Sequence, residues 1–181
     1  MGRRRIPKEK KQKRVTVKLI ARKVGDKVTE PYKIMEDIVK TDRADLKPLK
    51  IGMAWRLGWR ADLDGVLTLG QCRKRGDLDR ELDDYDIIVL LNAEAFPTLK
   101  PEEKQRLIYH ELMHAQIVTD NEGSPKTNDR GRIVIRIRKH DVSAFKAELA
   151  KYGDEDLSEI AKGRIEDAKR PLLQEAETET Q

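Results

Sequence analysis

The chain has little cysteine, few aromatic residues and no long apolar run, and each shortage excludes a class of protein. One cysteine, Cys72, among 181 residues rules out an intramolecular disulfide framework and is consistent with a reducing compartment. Aromatic residues make up only 4%, so the core must be largely aliphatic. No apolar stretch approaches the roughly 20 residues of a membrane span, and no apolar segment follows the basic N-terminus as in a secretory signal. We therefore expect a cytoplasmic protein of about one domain, without a membrane partner.

Histidine is also scarce, yet two of the three histidines fall within five residues, His110-Glu111-Leu112-Met113-His114. Histidines four positions apart lie on one face of a helix, where both imidazoles can bind one metal ion. A glutamate directly after the first histidine is then placed to take a proton from the attacking water. The pattern therefore predicts Zn²⁺ as cofactor, His110 and His114 as metal ligands, and Glu111 as the catalytic base.

The surroundings of the motif favour this interpretation. An apolar, β-branched run at 85–91 is typical of a buried strand. Pro101 then suits a first helical position, and the acids that follow it suit the helix dipole. Apolar residues continue at helical spacing as far as Val118, which predicts that the helix extends that far. Glu111 would border this apolar stripe, where a carboxylate needs a cation or hydrogen bonds in compensation.

A catalytic zinc usually has three protein ligands and one open position. The only other histidine is His140, which follows a predicted strand at 133–137. Asp141 would be the N-cap of a helix after it, so His140 would lie at a strand-to-helix corner. Asp141 and Glu148 remain alternative third ligands, because carboxylates also bind zinc.

From about Gly65 to Gly153 the chain resembles the putative phage metallopeptidase family, a group of small zincin-like domains. The resemblance covers about half the chain and rests on three segments, which are Tyr85-Asp86-Ile87-Ile88-Val89-Leu90, the helix ending in His110-Glu111-Leu112-Met113-His114-Ala115, and Arg138-Lys139-His140-Asp141-Val142 with Phe145 and Tyr152-Gly153. It implies an α+β fold in which a mixed or antiparallel sheet packs on the motif helix. It also implies zinc bound by His110, His114 and His140, with Glu111 catalytic and the host cytoplasm as the location if a phage encodes the chain.

The charge distribution suggests three segments: a basic tail at 1–14, the metallopeptidase domain at 15–153, and a helix with an acidic tail at 154–181. The first segment holds eight basic residues against one acid, so it is expected to be disordered. Its charge fits either contact with nucleic acid or a solubilising tail. Further predicted elements are strands at 15–19, 49–59 and 66–69, helices at 32–41 and 154–169, a charged connection at 74–84 and a polar loop at 120–131.

The leading hypothesis is a zinc-dependent peptidase acting on a peptide or protein substrate. The substrate would extend along a strand edge, at 66–70 or 86–91. Stabilisation of the oxyanion could come from Tyr109, Tyr152, Arg136 or Arg138. The alternative is a nucleic-acid-associated protein in which the basic tail binds and the zinc is structural or catalytically inactive. The sequence makes no prediction of oligomeric state.

Overall fold

A central strand and the helix packed against it organise the chain. The computed structural model describes residues 16–140, 145–153, 156–165 and 167. Its strands are β1 (Val17–Leu19), β2 (Lys23–Val24), β3 (Lys27–Val28), β4 (Ile51–Arg56), β5 (Gly70–Lys74), β6 (Ile87–Asn92), β7 (Ala115–Ile117) and β8 (Ile135–Ile137). Its helices are α1 (Glu30–Thr41), α2 (Asp77–Asp83), α3 (Pro101–His114), α4 (Lys146–Tyr152) and α5 (157–165), with 3₁₀ turns at Ala44–Leu46 and Phe96–Thr98.

Four of these strands form a mixed sheet in the order β1-β4-β6-β5. β4 and β6 run parallel, whereas β1 and β5 are antiparallel to their neighbours and form the two edges. All six residues of β6 are buried, as expected for a continuous apolar run covered on both faces. The predicted strand at 85–91 and the α+β class with a mixed sheet are confirmed.

The principal core lies between one face of this sheet and α3. Ile87, Val89 and Leu91 project from β6 toward Ile108 and Leu112 of α3 in one cluster of buried side chains. α1 packs beside α3 on the same face, and from α5 Leu157, Ala161 and Ile165 join the cluster. The opposite face of the sheet carries a small cluster of Ala54, Ile88 and Leu90 under Trp59 and Tyr85. Burial of the apolar face of α3 fixes the orientation of its polar side chains.

The two ends of α3 are set by local chemistry. Pro101 is the first helical residue, as predicted, and the Glu103 carboxylate accepts the backbone N–H of Lys100 at 2.7 Å. The helix ends at His114, because the backbone of Ala115 is extended and enters β7. Arg43 donates to the carbonyl oxygens of Leu112 at 2.5 Å and Ala115 at 2.7 Å. The prediction that the helix continues to Val118 is wrong, because the apolar residues after His114 are paired in a strand.

Other boundaries also differ from the predictions. A strand was predicted at 66–69, but β5 begins only at Gly70. The charged connection predicted at 74–84 contains the helix α2. The strand predicted at 49–59 is confined to β4. α4 begins at Lys146 with Phe145 as its N-cap, whereas the N-cap predicted at Asp141 concerns a residue outside the described ranges.

Some predictions concern residues outside the described ranges. The basic segment 1–14, Asp141 and most of the acidic C-terminal segment lie there. None of the helices in the described residues is long and apolar enough to cross a bilayer.

Candidate metal centre

Two elements distant in sequence bring three histidines together. His110 and His114 lie four residues apart at the C-terminal end of α3, and β7 continues directly from that helix. β7 pairs antiparallel with β8, with Ala115 opposite Ile137. The backbone N–H of Arg138 then donates to the carbonyl oxygen of His114 at 2.7 Å. This pairing returns His140 to the end of α3.

The Nε2 atoms of the three imidazoles converge on one point. Nε2 of His140 lies 3.1 Å from Nε2 of His110 and 3.2 Å from Nε2 of His114. Three nitrogens bound tetrahedrally to a zinc ion at about 2.0–2.1 Å would be about 3.3 Å apart. Within the described residues, these three histidines form the group that could hold a metal ion. Their spacing fits a tetrahedral ion of zinc's size.

Hydrogen bonds to the Nδ1 atoms fix the tautomers of two of these rings. Nδ1 of His114 lies 2.8 Å from the carbonyl oxygen of Arg138, which can only accept, so this nitrogen carries the proton. Nδ1 of His110 lies 2.5 Å from the carboxylate of Glu148 and donates in the same way. Nε2 of each ring therefore presents a lone pair to the point where His140 arrives. Partners of this kind orient imidazoles for metal binding.

Glu148 supports His110 as part of a buried ionic network. The Glu148 residue is only 3% exposed, and its second oxygen accepts from Nε of Arg106 at 3.1 Å. Arg106 lies one turn before His110 on α3 and also donates to the carbonyl oxygen of Gly153 at 3.2 Å. The alternative assignment of Glu148 as third ligand is not supported, because its carboxylate binds the far side of the His110 ring.

Phe145 covers the cluster from the protein side. It is fully buried, and its ring centroid lies 4.8 Å from that of His114 and 5.0 Å from that of His140. The Arg138 guanidinium lies over the phenyl ring, 5.1 Å from its centroid. Phe145 therefore restricts ring rotation and keeps water from this side of the imidazoles.

Glu111 is held against β5 beside the histidines. Its side chain packs on Gly70, where a Cβ atom would lie 2.6 Å from Oε1. The residue is 4% exposed, and its buried Oε2 atom has no hydrogen-bond partner. Glycine at position 70 therefore allows the carboxylate to lie directly under the edge strand.

Burial and neighbouring charges perturb the ionisation of these groups. Burial raises the pKa of Glu111 to about 7, although the charge of His110 and the Cys72 backbone oppose the shift. Burial acts to lower the pKa of His110, but the hydrogen bond to Glu148 and the charge of Glu111 raise it overall. For His114, burial is the largest cause of a lowered pKa. A buried carboxylate beside converging imidazole nitrogens favours a bound cation.

The four residues predicted as oxyanion partners are dispersed. The rings of Tyr109 and Tyr152 pack on each other, 5.5 Å between centroids, and Arg136 donates to Gln116 at 2.7 Å. Arg138 is the one whose guanidinium stacks on a ring in contact with the histidines.

The sequence interpretation did not identify two features of this centre, the orientation of His110 by Glu148 and the contact of Glu111 with Gly70. For the orientation of His110, the available signal in the sequence was Glu148, a carboxylate three residues after Phe145 on an amphipathic helix. For the second, a glycine next to the apolar residues of a strand was the only sign.

The fold and the site thus define an α+β protein with a three-histidine metal-binding cluster at the end of a helix. Residues 26–166 match the family model described as "Putative phage metallopeptidase". Because the match spans most of the chain, the protein belongs to this family, which confirms the resemblance and implies a metal-dependent hydrolase. No curated protein and no solved structure matches the chain.

Proposed function

We propose that the protein is a zinc-dependent metallopeptidase of zincin-like architecture, in which His110, His114 and His140 bind the metal and Glu111 is the general base. The observation that carries this proposal is the convergence of three Nε2 atoms beside a buried carboxylate oxygen without a partner. Membership of the family supports the reaction class.

The donor set favours zinc over the other common divalent ions. Three imidazoles with a fourth position left to water or substrate are typical of catalytic zinc, whereas Ca²⁺ and Mg²⁺ prefer oxygen ligands. When bound, zinc supplies a Lewis acid that polarises a substrate carbonyl and activates water. The residues that would hold it are the two histidines of α3 and His140, oriented by Glu148 and the Arg138 carbonyl.

Glu111 follows His110 on α3 and lines the cavity beside the histidines, which suits a proton carrier. Its carboxylate accepts a proton from water as the new carbon–oxygen bond forms. The carboxyl group then delivers this proton to the leaving nitrogen as the carbon–nitrogen bond breaks. Burial raises the pKa of Glu111 to about 7, and a cation bound beside the carboxylate would lower this pKa, which favours the deprotonated form that accepts the proton.

An extended peptide can reach Glu111 along β5. β5 is an edge of the sheet, and Gly70 places its backbone against the Glu111 carboxylate. Peptides commonly bind by adding a strand to such an edge. The alternative edge predicted at 86–91 is wrong, because β6 is paired on both sides.

Zinc content and hydrolysis, measured together, test the proposal. Purified protein should contain about one zinc per chain and cleave a quenched fluorescent peptide library. In Glu111→Gln, kcat/KM should fall by about 100- to 10,000-fold while the zinc content stays unchanged. Glu81→Gln is the matched control, because this glutamate is 55% exposed and pairs with Arg132. Hydrolysis that survives in Glu111→Gln would show that Glu111 is not the base.

A further inference from the structure

A cavity opens directly beside the candidate metal centre. It has a volume of about 430 Å³ and is bounded by His110, Glu111 and His140 on one side. The opposite wall is formed by the segment 66–70 and by the start of α5. A molecule that reaches the metal centre along β5 therefore meets this cavity.

Several polar side chains that line the cavity already have partners within the protein. Arg106 and Glu148 bind each other at 3.1 Å. The Ser158 hydroxyl accepts the backbone N–H of Leu67 at 3.1 Å and donates to its carbonyl oxygen at 3.0 Å. The Asp156 carboxylate accepts the backbone N–H of Ser158 at 2.8 Å. A negatively charged group that entered here would lose water and lie near the carboxylates of Glu111, Glu148 and Asp156.

The rest of the wall is made largely of leucine side chains from four parts of the fold. These are Leu67 and Leu69 before β5, Leu107 on α3, Leu149 on α4 and Leu157 on α5. The first three are buried, and Leu149 and Leu157 are partly buried. The double hydrogen bond between Ser158 and Leu67 holds α5 against the segment 66–70. The apolar wall is therefore fixed in place beside the metal centre.

We propose that this cavity binds the apolar side chain of the substrate residue next to the scissile bond. The proposal rests on the peptidase function proposed above and adds a substrate class to it. The volume lies within the usual range of ligand pockets, about 300–1,000 Å³, so leucine- to phenylalanine-sized side chains fit. Among the leucines of the wall, Leu157 is a suitable residue to mutate in a test of side-chain preference, because it lies on α5 and is only partly buried.

The first arm of the test measures kcat/KM of the zinc-loaded protein on quenched peptides that vary at each position flanking the bond. Leucine or phenylalanine at one flanking position should be preferred at least about 10-fold over alanine, and more strongly over aspartate. Leu157→Phe partly fills the cavity and should shift the preference toward alanine. The matched control is Leu78→Phe, because Leu78 is 72% exposed on α2.

The second arm measures binding and does not require turnover. Isobutyl- and carboxymethyl-substituted dipeptide hydroxamates are titrated calorimetrically into the same proteins. The isobutyl probe should bind at least about 10-fold tighter, and Leu157→Phe should reduce this ratio. Cleavage without any side-chain preference would overturn the pocket and leave the peptidase intact. An isobutyl preference that Leu157→Phe reduces, with no peptide cleaved, would support the pocket and overturn the peptidase. Absence of preference in both arms would overturn the pocket.

Discussion

Two cavities among the described residues can be compared, and the larger of these two is not the candidate site. The larger cavity, about 660 Å³, lies between α1 and the first residues of β4. Four of its charged groups form two ion pairs: Arg22 binds Glu36 at 2.7 Å, and Lys50 binds Asp84. The Tyr32 hydroxyl accepts the backbone N–H of Met53 at 3.1 Å.

The smaller cavity lies beside the histidines and differs in the arrangement of its polar groups. Three imidazole Nε2 atoms point together, and Oε2 of Glu111 is buried without a partner. Volume therefore does not identify the site here, whereas the arrangement of donors and acceptors does. Equivalent changes in the two cavities should therefore have different effects on metal binding and turnover.

The largest effect is expected from removing a metal ligand. His140→Ala should lose hydrolysis entirely, because two imidazoles do not hold the ion firmly. Free zinc at about 100 times the Kd should raise the free energy of unfolding of the wild type by about 2.7 kcal/mol and that of His140→Ala far less. Asp84→Ala, in the larger cavity, should respond to zinc like the wild type. An unchanged zinc response in His140→Ala would contradict the three-histidine site. Calorimetric melting with and without zinc measures the zinc response of the wild type and of both variants.

A smaller effect is expected when the support of His110 is removed. Glu148→Ala should weaken zinc binding about 10- to 100-fold, measured by competition with a chromophoric chelator. It should also destabilise the fold by about 3–5 kcal/mol, because Arg106 is left buried without its partner. Glu148→Gln retains an oxygen for Nδ1 of His110 and should recover much of the affinity. Glu36→Ala is the control from the larger cavity. Equal zinc affinity in Glu148→Ala and the wild type would show that Glu148 does not position His110.

Two glycine-to-alanine substitutions, which rank next in expected effect, should distinguish a loss of turnover from a loss of stability. In Gly70→Ala, the new Cβ would lie 2.6 Å from Oε1 of Glu111, so kcat should fall while zinc stays bound. In Gly52→Ala, the Cβ would meet the Tyr85 ring at 2.8 Å beside the larger cavity. That variant should lose about 1–3 kcal/mol of stability and keep its kcat. Steady-state kinetics and thermal melting of both variants provide the comparison. If the two variants lost kcat equally, the role given to the Gly70 contact would be wrong.

The smallest effect on hydrolysis is expected from residues 1–14, which lie outside the described residues. Their deletion should leave peptide cleavage unchanged. If the basic segment binds nucleic acid, which its charge allows, deletion should weaken DNA binding and flatten its dependence on salt. Fluorescence anisotropy with a labelled duplex at several salt concentrations measures both quantities. Identical affinity with and without the segment would dismiss this role.

The parts of the fold predicted from sequence are those that depend on local pattern. The apolar run of β6, the proline at the start of α3 and the spacing of His110 and His114 are each visible within a few residues. His140 could be proposed because the chain offers no other histidine. The position of Gly70 under Glu111 requires the pairing of β5 with β6, and the contact of Glu148 with His110 requires the packing of α4 on α3. Such long-range contacts leave only weak signals in a single sequence.

The end of α3 shows the same limit. Helical spacing continues through Ala115 and Val118, but the pairing of β7 with β8 outweighs this local preference. That pairing returns His140 to the helix, so the boundary that was wrongly predicted is also the one that assembles the candidate site.

Anomalous diffraction at the zinc edge, from crystals of the purified protein, would locate the metal and its ligands together. We expect a single peak about 2.0–2.1 Å from Nε2 of each of His110, His114 and His140. A peak held by other side chains, or crystals from zinc-supplemented protein with no peak between these imidazoles, would contradict the three-histidine site.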